Sequence, residues 1–138
     1  MKKITTRDKI IIGIGALAII AVLIYIVMPD KGVIAEEEWE SVTTEMSYNE
    51  VNKLLGKPFS ETSNRNDISR TLEGYSTALS YSDDEKYDTE KFTITTLLQA
   101  LSEKKNVKMM TYKIKSIYDD ELQEVEVYFL NNQSVYIN

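Results

Sequence analysis

One run decides most of what this chain can be: "IIIGIGALAIIAVLIYIVM", residues 10–28, holds 19 consecutive positions without a charge. At 1.5 Å rise per residue it forms a helix of about 28 Å, close to the hydrocarbon thickness of a bilayer. A buried helix of a soluble domain would show a polar side, and this run has none. The run therefore predicts a membrane-spanning helix, with membrane lipid as its surroundings. A cleaved signal peptide is the competing reading, because "VIA" places Ala35 last before Glu36. The run is longer than the usual apolar region of such a signal.

The flanks give the direction. Lys2, Lys3, Arg7 and Lys9 precede the run against the single acid Asp8, and residues 30–138 carry 12 bases against 21 acids. Positive flanks stay on the cytoplasmic side. The expected organisation is a cytoplasmic N-terminus (1–9), a transmembrane helix (10–28), a juxtamembrane linker (29–35) and an extracytoplasmic domain (36–138). A single-pass protein of the cell membrane, with its C-terminal domain outside, follows. So acidic a domain repels phosphate backbones, which argues against nucleic acid as a partner.

The domain reads as α+β, with short helices packed on an antiparallel sheet. "EEEWESV" (36–42) begins with acids and spaces Trp39 from Val42 as a brief helix does. "MSYNEVNKLLGKP" (46–58) is punctuated at both ends. Ser47 and Glu50 form a capping box, Met46 and Val51 the matching hydrophobic staple. Gly56 and Pro58 end the helix, and Tyr48, Val51, Leu54 and Leu55 share a face. Two turns are too few to stand alone, so this face must dock on a sheet.

Three strands near the C-terminus supply one. "TYKIKSIY" (111–118) alternates Tyr112, Ile114, Ser116 and Tyr118 with Lys113, Lys115 and Ile117. After the polar turn at Asp119, Asp120 and Glu121, Val125, Val127 and Phe129 alternate with Glu124, Glu126 and Tyr128. Asn131 and Asn132 tolerate positive φ and suit a tight turn, after which Val135 and Ile137 align. Residues 60–69 read as a polar loop. Tyr75, Thr77, Leu79 and Tyr81 fall on alternate positions, which predicts a further strand. Residues 83–91 read as a charged turn, and Ile94, Leu97, Leu98 and Leu101 as one side of a helix.

The stretch "VTTEMSYNEVNKLLGKPFSETS" (42–63) resembles the start of the small envelope domains related to SmpA/OmlA, or BamE, and to the β-lactamase-inhibitor-like fold. Met46, Ser47, Tyr48, Glu50, Val51, Leu55, Gly56 and Pro58 carry the likeness, and residues 112–138 look like the closing hairpins. Glu45 stands where that pattern has glycine, and no lipid-accepting cysteine is present. The resemblance implies the fold and the character of an interaction module.

The chain has no Cys and no His. It therefore lacks thiolate chemistry, disulfides and the commonest general base. No nucleophile or phosphate-binding motif is present, and nothing calls for a cofactor or a metal. Asp83, Asp84, Glu85, Asp88 and Glu90 lack the spacing of a calcium loop and read as a solvated turn. Nine tyrosines among 138 residues are many, and tyrosine is enriched in recognition surfaces. Tyr75, Tyr81, Tyr87 and Tyr128 are the candidate partner-binding residues. The expectation is a non-enzymatic, membrane-anchored module binding an envelope or membrane protein. An inhibitor or regulator of a wall-active enzyme, acting through residues 60–69, is the alternative.

Overall fold

The computed structural model describes residues 31–115 and 121–138. The expected transmembrane helix 10–28, the N-terminus 1–9, Asp119, Asp120 and the strand positions Ser116 and Tyr118 lie outside the described residues. Among the described residues no helix is long and apolar enough to cross a membrane. The chain from Lys31 to Asn138 is one compact α+β unit.

Its frame is a five-stranded sheet. Strand β3 (Val107–Lys115) pairs antiparallel with β4 (Leu122–Leu130), and β4 with β5 (Gln133–Ile137). Asn131 and Asn132 take φ of 52° and 67°, the two left-handed positions of the turn that best matches strand twist. On the outer edge of β3, strand β1 (Val33–Ile34) runs parallel and β2 (Ser60–Thr62) antiparallel. The sheet is thus mixed, not antiparallel throughout. The parallel pair depends on Gly32, whose carbonyl accepts the Lys113 N–H at 2.8 Å. Gly32 holds φ +73°, and a Cβ there would stand 2.0 Å from the Phe59 nitrogen. Only glycine lets β1 and β2 meet on one edge.

Strand alternation gives the sheet two faces, and both are covered. On the first lie Met110, Tyr112, Ile114, Val125, Val127 and Phe129. Helix α1 (Glu36–Glu40) and helix α2 (Tyr48–Leu55) close that face with Trp39, Val51 and Leu55. The capping box of α2 forms as expected: Ser47 Oγ accepts from the Glu50 N–H at 3.2 Å, and Glu50 Oε2 accepts from the Ser47 N–H at 2.7 Å. Gly56 sits at φ 73°. Met46 packs in the same cluster as Val51. Leu54, expected on the apolar face, is turned outward and 37% exposed; the docking face is narrower than four residues. Just before α2, Glu45 and Met46 lie along β5, with Glu45 N–H donating to Ser134 O at 2.7 Å and Ser134 N–H to Met46 O at 2.8 Å. Glu45 holds φ 74° to do so.

The second face is where expectation and structure part. Helix α3 (Arg65–Ser80) and helix α4 (Asp88–Ser102) pack as a hairpin over Val107, Tyr128 and Tyr136. Residues 60–69 are therefore not a loop but β2 and the start of α3, so the surface assigned to an inhibitory role is regular structure. Residues 75–82 are not a strand either. Ile68, Leu72, Tyr75 and Leu79 follow a helical period, and the first two are fully buried. Asn64 caps the helix, its Oδ1 accepting from the Asn66 N–H at 3.0 Å.

Helix α4 matches the expected side, with Ile94, Leu97 and Leu101 buried. It begins earlier than expected, after a 3-10 turn at Glu85–Tyr87, so part of the charged turn is helical. Its β-branched threonines are accommodated by hydroxyls donating back one turn, Thr95 to Lys91 O at 2.8 Å and Thr96 to Phe92 O at 2.9 Å. Lys104 closes the helix at φ 60°, while the Lys105 N–H reaches Ala100 O at 2.9 Å. A register shift at Tyr128/Phe129 breaks the expected alignment of Val135 with Ile137. Val135 packs on the second face and Ile137 on the first.

Candidate functional site

Three tyrosines and two glutamates meet where the helical hairpin lies on the sheet. Glu126, on β4, accepts the hydroxyl of Tyr75 from α3 at 2.8 Å and that of Tyr128 beside it. Tyr136, on β5, donates to Glu90 in the first turn of α4 at 2.6 Å. The Tyr128 and Tyr136 rings lie 5.4 Å apart. Burial, followed by the hydrogen bond to Glu126, raises the Tyr75 hydroxyl to about 12. Burial also pushes Tyr128 and Tyr136 far above the ordinary phenol range, each helped by its glutamate. Neutral phenols bonded to carboxylates make a latch between layers. Tyr128, expected as a partner-binding residue, is instead fully buried in the core. Tyr75 is half-buried with its hydroxyl committed to the latch.

The other two expected contacts, Tyr81 and Tyr87, sit at the tip of the hairpin. Tyr81 follows the last turn of α3 and is 86% exposed. Tyr87 precedes α4, half-buried, with Lys86 Nζ 4.7 Å above its ring. The acidic residues of this segment have local tasks. Asp84 Oδ1 accepts from the Lys86 N–H at 3.0 Å and its other oxygen pairs with the Lys86 ammonium at 2.9 Å. Lys91 Nζ donates to the Ser82 carbonyl at 2.8 Å, which brings Tyr81 and Phe92 to the same end. Among the described residues no group of three metal-ligating side chains exists.

Phe92 is the residue sequence reading missed. It is 73% exposed and borders a groove of about 200 Å³ with Thr93, Thr96, Leu97, Leu130 and Val135. The signal was there: at about 100° per residue Phe92 stands roughly 160° from Ile94, opposite the buried side. Phe92 thus borders an apolar groove between α4 and the β4–β5 hairpin, while Tyr81 and Tyr87 lie at the connection between α3 and α4.

A second concavity, of about 280 Å³, lies at the β3 edge. Lys31, Tyr48, Asn52, Lys57, Pro58 and Glu61 line it. Tyr48 donates to Glu61 Oε2 at 2.7 Å, carries Lys108 Nζ 4.2 Å from its ring, and meets the Phe129 ring edge-on at 5.6 Å. The bond to Glu61 raises the Tyr48 hydroxyl. Beside the cleft Phe59 is 43% exposed, with Lys113 Nζ 3.7 Å from its ring centre.

No family model, no curated protein and no solved structure matches the chain significantly.

Proposed function

We propose that this chain is a membrane-anchored, extracytoplasmic and non-enzymatic module that binds another envelope or membrane protein through the tip of its helical hairpin. The observation that carries the reading is Phe92, 73% exposed beside an apolar groove. Contiguous exposed apolar patches rimmed by polar residues mark contact surfaces, and aromatic anchors that fill pockets dominate binding energy. Tyr81, 86% exposed, adds a second ring at low entropic cost. The apolar run at 10–28 supports the anchor, and the basic residues before it support the orientation.

The test uses the full chain, extracted in mild detergent from cells that make it and compared with Phe92→Asp. The unaltered chain should retain one specific protein that the variant loses. Recovery of no specific protein, or equal recovery by the variant, overturns the reading.

A further inference from the structure

We infer that the cleft at the β3 edge, together with Phe59, is a docking site for anionic phospholipid headgroups. The inference rests on the membrane-anchored reading of residues 10–28. Lys31 forms part of the cleft wall and is only three residues beyond Met28, the end of the apolar run. Fully extended, three residues span about 10 Å. The cleft is therefore tied within headgroup reach of any bilayer the run crosses.

Its chemistry suits that layer. Lys31 and Lys57 bring two ammonium groups to one concavity, and Asn52 adds an amide. Next to it the Phe59 ring stands 43% exposed with the Lys113 ammonium against its face. Of the residues lining the cleft one is a carboxylate, Glu61, which accepts from Tyr48 at 2.7 Å; the Lys113 ammonium also stands 3.9 Å from Glu124. The cleft lining thus carries two lysines against one carboxylate, in a domain whose overall balance is strongly acidic. A ring at the interfacial level with lysines reaching phosphates is how a folded surface settles on an anionic leaflet. The consequence is mechanical: a domain held by one edge presents its hairpin tip in a fixed direction.

The chain has no cysteine, so a single fluorophore at Ser60→Cys reports this edge and one at Glu73→Cys reports α3. The full chain is placed in nanodiscs of phosphatidylcholine alone, or with a third of phosphatidylglycerol, both carrying a headgroup-attached quencher. Quenching at position 60 should rise in the anionic discs, and quenching at position 73 should not. The Lys31→Gln/Lys57→Gln pair should remove the rise, each lysine near an anionic surface giving about a fivefold preference. Raised salt on the unaltered chain should remove it too. Discs that hold the chain but quench position 60 equally in both lipids, or a rise that survives both lysine changes and salt, overturn the docking alone. A chain that does not enter the discs overturns the anchored reading and the docking with it.

Discussion

The hydroxyl of Tyr136 reaches Glu90 across 2.6 Å and so joins the last strand to the first turn of α4. With the paired bonds of Tyr75 and Tyr128 to Glu126, it makes the attachment of the helical hairpin depend on neutral phenols. Burial raises Tyr75 to about 12 from the ordinary 10.0, and Tyr128 and Tyr136 further still. The unfolded chain therefore loses these protons first, and stability falls as pH rises. Chemical denaturation followed by circular dichroism should give a constant midpoint up to about pH 10 and a decline between about 10 and 12. A midpoint that holds steady through this window would contradict the latch.

Gly32 and Gly56 both sit at φ 73°, yet their surroundings differ. A Cβ at Gly32 would stand 2.0 Å from the Phe59 backbone nitrogen, whereas Gly56 has nothing within 4 Å. Gly56→Ala should cost about 1–3 kcal/mol, the scale of a strained backbone position. Gly32→Ala should cost clearly more, because β1 and β2 cannot then share one edge. Urea midpoints of the two variants decide this; equal losses would count against the end-to-end packing of those strands.

How far the sequence discloses this fold depends on where the decisive contacts lie. Helix α2 was legible because Ser47, Glu50 and Gly56 act on neighbours within ten positions. The β4–β5 hairpin was legible from alternation and from Asn131 and Asn132. Helix α3 was not, since Tyr75, Thr77, Leu79 and Tyr81 imitate a strand, and only the earlier Ile68 and Leu72 reveal the longer period. The burial of Tyr128 was not legible, because strand alternation cannot say whether a second layer covers the far side. The cleft of Lys31, Lys57 and Glu61 was illegible for a different reason. It exists only once β1 and β2 pair with the same edge of β3, which is a tertiary event.

The capping box offers a sharper test of Glu50. It is exposed, and its hydrogen bonds from Ser47 hold its carboxyl below the usual range. Ser47→Ala should cost about 0.5–2 kcal/mol by thermal denaturation, as N-cap losses do, Glu50→Ala should lower the midpoint in the same direction, and both should leave partner recovery unchanged. Loss of partner binding at unchanged stability would make Glu50 a functional residue instead.

Topology carries its own prediction. The proposed orientation, with Lys2, Lys3, Arg7 and Lys9 inside, predicts that a protease added to intact protoplasts digests the domain of residues 31–138 and spares the N-terminus. Protection of the C-terminal part would reverse the assigned orientation.

The claim on which the account depends most is that the hairpin tip touches a protein. A photoreactive phenylalanine analogue at position 92, activated in intact cells, tests it directly. The account predicts one discrete adduct from position 92 and none from the same analogue at the exposed Glu73 on α3. No adduct at 92, or the same set of adducts from both positions, would contradict it.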